Sequence, residues 1–148
     1  MNYNSIDIVF SEVPHEISLA FTITGCSLKC KGCHSSYLWD KNNGTKLTID
    51  NYKALLNKYN NYITCVLFMG GEWHHEEIIQ FLNIAKQYHL KTCLYTGEEN
   101  ISKEIYENLT FIKTGKYFPE FGGLDKIGTN QKFIDVETGE LLNYLFRD

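Results

Sequence analysis

The chain has 148 residues, 43% of them hydrophobic, with 10 Tyr and 9 Phe, which fits one domain spanning 1–148 and excludes a disordered chain. Fourteen Lys and Arg against 18 Asp and Glu give a formal charge of −4, so no general attraction to nucleic acid or anionic membranes is expected. No apolar run approaches the roughly 20 residues of a membrane helix, and the start MNYNSIDIVFSEVP lacks the basic segment and apolar stretch of a signal peptide, so a cytoplasmic location is expected.

Along the chain, Ile17–Thr24 reads as a strand of β-branched and aromatic residues that ends at Gly25. Thr48–Tyr59 reads as a helix with Thr48 or Asp50 near its start. Thr64–Met69, TCVLFM, is a continuous apolar run of the kind found in buried parallel strands, and it leads straight into Gly70–Gly71–Glu72. A helix over about His75–Tyr88 follows, with Ile78, Ile79, Leu82 and Ala85 on one side. Adjacent His74 and His75 have no metal-ligand spacing and read as surface residues. Lys91–Tyr95 is the next strand and Thr96–Gly97 its exit turn. Ser102–Leu109 is a short helix with Ser102 as a plausible cap, and Phe111–Lys113 is another strand. Lys132–Val136 and Glu140–Tyr144 flank a Thr138–Gly139 turn and predict a terminal hairpin. Strands alternating with helices imply parallel β/α units, whose sites form at the C-terminal ends of strands. There are too few units for eight strands, so the expected fold class is α/β with an incomplete barrel.

Five cysteines are an odd number, and three crowd into Thr24–His34, TGCSLKCKGCH, as C-x3-C-x2-C at Cys26, Cys30 and Cys33. Clustered thiols in a reducing compartment bind metal more often than they form disulfides. Thiolates suit iron–sulfur clusters or zinc. Structural zinc is normally closed by four ligands, whereas a cubane held by three cysteines keeps one iron open to a substrate. The competing reading is a non-catalytic zinc module that adds His34, Cys65 or Cys93. His34 adjoins Cys33, a poor position for wrapping the same ion, and Cys65 and Cys93 fall inside predicted strands as small core residues.

The C-x3-C-x2-C loop after the first predicted strand resembles the signature of the radical S-adenosylmethionine superfamily. The Gly32–Cys33–His34 ending, the short chain and the later motifs resemble the activating proteins of glycyl radical enzymes, most of all those of anaerobic ribonucleoside-triphosphate reductases. The similarity runs from about Phe21 to Lys132. It implies a partial TIM-like β/α barrel of the radical S-adenosylmethionine type, with Cys26, Cys30 and Cys33 holding a [4Fe–4S] cluster. The open iron would bind the amino and carboxylate groups of S-adenosylmethionine. One electron from the cluster would break the C5′–S bond, and the resulting 5′-deoxyadenosyl radical would take a hydrogen from a glycine of the reductase. A flavodoxin or ferredoxin is the implied electron donor. A small-molecule enzyme similar to 7-carboxy-7-deazaguanine synthase is the alternative, and it would need length for a substrate pocket that this chain has little of.

The same resemblance assigns the remaining candidates. Gly70, Gly71 and Glu72 look like the Gly-Gly-Glu motif that meets the methionine amino group, the alternative being a strand-to-helix turn with Glu72 at a helix start. Thr96 would contribute a hydroxyl to the ribose or methionine, or form a plain turn with Gly97. Lys113 would pair with the methionine carboxylate or be a solvated strand-end lysine. Related activases carry an acidic residue near here, where this chain has Thr114. Gly32 stands where many members place an aromatic residue near the adenine, so its backbone, with His34 or Tyr37 for packing, would take that part. Tyr37 and Trp39 read otherwise as core. Gly128–Thr129–Asn130–Gln131 resembles a late segment of the activases and is expected to be structural.

Overall fold

The structure, a computed structural model, describes residues 1–25 and 43–147. β1 (Asn2–Val9) pairs antiparallel with β2 (Ser18–Ile23), and β3 (Thr45–Lys46) adds a two-residue rung to β1 at Asn2 and Tyr3. α1 (Ile49–Tyr59) starts where the Thr48 hydroxyl accepts the Asn51 N–H at 3.1 Å, satisfying a donor that the first turn cannot use. Then follow β4 (Cys65–Met69), α2 (His75–Gln87), β5 (Lys91–Tyr95), α3 (Lys103–Glu107), β6 (Phe111–Thr114) and β7 (Lys132–Asp135). Ser102 caps α3 by accepting the Ile105 N–H at 3.2 Å.

Among the described residues, seven strands form one mixed sheet in the order β3-β1-β2-β4-β5-β6-β7. β2, β4, β5 and β6 are parallel and lie side by side in chain order, while β1, β3 and β7 extend the sheet antiparallel. The expectation of parallel β/α units thus holds for the middle of the sheet.

Two departures have physical causes. β1 was not expected, because Asn2, Asn4, Ser5 and Asp7 interrupt its apolar residues; it extends the sheet beyond β2, where its residues are at most half-buried. The terminal hairpin forms only its first strand. Leu141 makes one isolated bridge to Ile134, and Asn143–Phe146 turns into a 3-10 helix. The Asn143 side chain takes the place of a strand partner. Its Oδ1 accepts the Phe133 N–H at 2.7 Å and its Nδ2 donates to the Gln131 carbonyl at 2.9 Å.

All three helices pack on one face, where Leu19, Phe21, Val66, Phe68, Leu94 and Ile112 meet Tyr52, Leu56, Ile78, Phe81, Leu82 and Ile105. Each such side chain contributes about 1.5–3 kcal/mol on full burial. At the centre, the Tyr52 and Phe81 rings lie 4.6 Å apart, and the Tyr52 hydroxyl donates to the Phe81 carbonyl at 2.9 Å. The opposite face carries Ala20, Cys65, Leu67, Cys93 and Phe133, covered by Val13, Leu124 and Leu142. No helix among the described residues is long and apolar enough to cross a membrane.

Candidate functional site

The parallel register decides what meets at the C-terminal ends of the strands. Thr22, Met69, Tyr95 and Lys113 form one row across β2, β4, β5 and β6. One residue further on, the chain leaves each strand at Gly70 and Thr96, and those exits are tied together. The Gly70 N–H donates to the Tyr95 carbonyl at 2.9 Å, and the Thr96 N–H to the Lys113 carbonyl at 2.9 Å.

After β4 the backbone turns sharply. Gly70 has φ +86° and Gly71 has φ +114°, conformations that a side chain would strain. A Cβ on Gly70 would stand 2.7 Å from Cη2 of Trp73, so the indole occupies the space the glycine leaves. This turn delivers Glu72 ahead of α2, which starts only at His75 and carries Glu76 and Glu77 in its first turn.

The Glu72 carboxyl is fixed by one contact. Thr96, 2% exposed, donates its hydroxyl to Oε1 at 2.6 Å. The Thr96 oxygen in turn accepts the Glu98 N–H at 3.0 Å. Oε2 is buried and has no hydrogen-bond partner among the described residues. Burial pushes the Glu72 carboxyl above its ordinary pKa and Glu98 adds to that, while the Thr96 hydroxyl, the backbone N–H of Glu72 and Lys113 act in the opposite sense.

Lys113 is half-buried, folded back over the strand ends. Its Nζ lies 3.4 Å from the carbonyls of both Thr96 and Gly115 and 5.4 Å from the centre of the Tyr95 ring. Beside Glu72 opens a cleft of about 280 Å³ whose lining includes Trp73, His75, Glu98 and Ser102. The structure therefore brings Gly70, Gly71, Glu72, Thr96 and Lys113 to one edge of the sheet. Cys26, Cys30, Gly32, Cys33, His34, Tyr37 and Trp39 lie outside the described residues.

Two features of the edge were not expected from the sequence. Trp73 donates its indole N–H to the Thr24 carbonyl at 3.1 Å, joining the turn after β4 to the end of β2. Thr24 donates its hydroxyl to the Asn43 carbonyl at 2.9 Å, so the chain departs for residues 26–42 and returns from them at the same corner. Trp73 follows Glu72 directly, a proximity that could have drawn attention to it; the Thr24–Asn43 contact has no local signal. Of the other cysteines, Cys65 and Cys93 are free and buried inside strands, and burial pushes the Cys65 thiol up to about 12 and raises Cys93 as well.

Gly128–Thr129–Asn130–Gln131 anchors the connection between β6 and β7. Thr129 donates to the Gly122 carbonyl at 2.9 Å, Asn130 to the Lys116 carbonyl at 3.0 Å and Gln131 to the Gly115 carbonyl at 3.3 Å. The roles seen for this segment are structural, as the sequence led us to expect.

Comparison with known proteins adds one positive finding. The pattern of a family described as a 4Fe-4S single cluster domain matches residues 17–119, more than half of the chain and a span that includes the three clustered cysteines and the strand ends up to Lys113. No curated protein matches the chain.

Proposed function

The chain belongs to the 4Fe-4S single cluster domain family, and from that membership we propose that it is a radical S-adenosylmethionine activase that generates a glycyl radical on an anaerobic ribonucleoside-triphosphate reductase. Cys26, Cys30 and Cys33 are the cluster ligands in this reading. Cys65 and Cys93 are poor candidates, because both lie fully buried in β4 and β5, packed as core residues with Leu67 and Phe133. That argument also weighs against a zinc site closed by either of them.

The observation that carries the reading is the Glu72 carboxyl. A buried oxygen without a partner among the described residues, beside two glycines of positive φ, suits a ligand that brings its own donor, as the ammonium of S-adenosylmethionine would. Lys113 supplies the complementary charge for the methionine carboxylate from the next strand but one. The side-by-side order of β2, β4, β5 and β6, with α1, α2 and α3 on one face, supports a partial barrel of the radical S-adenosylmethionine type.

A [4Fe–4S] cluster held by Cys26, Cys30 and Cys33 would supply one electron for cleavage of the C5′–S bond, the chemistry needed to remove hydrogen from a glycine of the partner. The chain's own residues orient and shield. Glu72 holds the amino group, Lys113 the carboxylate, and Thr96 fixes Glu72. Gly32 and His34, outside the described residues, are assigned to the adenine. A flavodoxin or ferredoxin serves as electron donor.

The test begins with iron and acid-labile sulfide after anaerobic purification, which are expected in the wild type and absent after Cys26→Ala, Cys30→Ala or Cys33→Ala. Reduced protein, S-adenosylmethionine and the reductase are then mixed without oxygen. A doublet in the electron paramagnetic resonance spectrum is expected on the reductase, losing its main splitting when glycine is deuterated at the α-carbon. Cleavage of S-adenosylmethionine with conversion of a small molecule and no such doublet would overturn the activase reading.

A further inference from the structure

Thr96 lies next to the cleft, and its resemblance-based role is a direct contact with ribose or methionine. Its hydroxyl is already committed. The Thr96 oxygen accepts the Glu98 N–H at 3.0 Å, which leaves its one proton to be given to Glu72 Oε1, 2.6 Å away. Thr96 is 2% exposed, and its N–H is held by the Lys113 carbonyl at 2.9 Å. A hydroxyl with its proton donated and its oxygen accepting has little left for a ligand. What the arrangement does is select one rotamer of Glu72 and leave the second carboxyl oxygen without a partner among the described residues.

We infer that Thr96 is a positioning residue, which acts on S-adenosylmethionine only through Glu72 by holding Oε1 and aiming Oε2 at the ligand ammonium. This rests on the reading of the site given above. The backbone of β5 sets the position of Thr96, the turn at Gly70–Gly71 sets that of Glu72, and the bond between them joins two strand exits 24 residues apart in the chain. An exposed glutamate would sample several rotamers and lose them on binding; one clamped beforehand has already lost them.

The geometry also shapes the pH dependence. The charged and titratable groups that face the Glu72 carboxyl among the described residues are Glu98, Lys113 and, across the cleft, His75. The Thr96 hydroxyl favours the carboxylate over the carboxylic acid, opposing the effect of burial. Without that hydroxyl, Glu72 takes up its proton at a higher pH. An ammonium ligand needs the carboxylate, so binding is lost as pH falls, and in Thr96→Val it is lost from a higher pH.

The experiment is calorimetric titration of S-adenosylmethionine into anaerobically reconstituted protein across pH 5–9, with no turnover required. Thr96→Val is expected to weaken affinity about 10-fold at neutral pH and to move the acidic midpoint upward. Thr96→Ser, which keeps the hydroxyl, is expected to restore affinity to within about twofold. On a Glu72→Ala background, Thr96→Val is expected to change affinity less than about twofold, because the residue it acts through is gone. An equal loss on both backgrounds means that Thr96 touches the ligand directly and overturns the proposal. So does a Thr96→Val protein that melts lower yet binds with unchanged affinity and midpoint. If the wild type itself binds no S-adenosylmethionine, the reading of the site falls first and the proposal with it, an outcome distinct from the other two.

Discussion

Glu72 pulls the fold and the site in different directions. Its carboxyl is pushed up chiefly by burial, so the folded protein holds that proton more tightly than the unfolded chain does. A group raised in this way stabilises the fold at pH values below its unfolded pKa, and that contribution is lost as pH rises through the folded value. At pH 8 the ligand-free protein therefore holds a buried charge that the unfolded chain would hydrate. Glu72→Gln removes the charge and keeps the shape. We expect its Tm to exceed that of the ligand-free wild type at pH 8, with the gap closing toward pH 4, as read by thermal melts of cluster-free protein. Equal Tm values at pH 8 would place the carboxyl in contact with water or a cation. The same variant is expected to bind S-adenosylmethionine roughly 10- to 100-fold more weakly, since a charge-assisted hydrogen bond contributes about 1.5–3 kcal/mol. Stability gained where binding is lost is the mark of a residue kept for its ligand.

Among the elements, the last stretch of chain shows how a side chain can replace a strand. Asn143, 5% exposed, satisfies both the Phe133 N–H and the Gln131 carbonyl of the β7 region. Asn143→Ala leaves two backbone groups unpaired in a buried setting, and chemical denaturation is expected to register a loss of roughly 2–4 kcal/mol. The sequence offered Glu140–Tyr144 as a strand because its alternation resembles one, and nothing in it says that Asn143 would turn inward. Elements with strong local signals were legible: the TCVLFM run as β4, the apolar side of α2, and the caps at Thr48 and Ser102. β1 was not, since a polar strand at the border of a sheet owes its conformation to a partner, here β2, and not to its own composition. The site divides along the same line. The spacing of Cys26, Cys30 and Cys33 and the run Gly70–Gly71–Glu72 can be read locally. The clamp of Thr96 on Glu72 depends on the register of β4 against β5, which no single segment encodes.

At the scale of the whole molecule, the sheet separates two chemistries of cysteine. Cys65 and Cys93 share the face opposite α1, α2 and α3 with Leu67 and Phe133 and behave as small apolar residues. Cys65→Ala and Cys93→Ala are each expected to cost about 1 kcal/mol in denaturation and to retain full iron content. Loss of iron from either variant would reassign the ligands. In the native, cluster-free protein, a thiol reagent at pH 8 is expected to modify neither, because a thiol pushed up to about 12 at Cys65, and raised at Cys93, carries almost no thiolate there. The corner at which Thr24 meets Asn43 has a wider meaning for how metal is acquired. A tether whose two ends are pinned to one point confines whatever it carries to a small volume, at an effective concentration of about millimolar or more that is independent of protein concentration. Iron captured by one thiol is thus offered to the other two as an intramolecular chelation. That advantage lasts only while β1, β2 and β3 hold the corner closed, which makes retention of iron a readout of the integrity of that edge of the sheet.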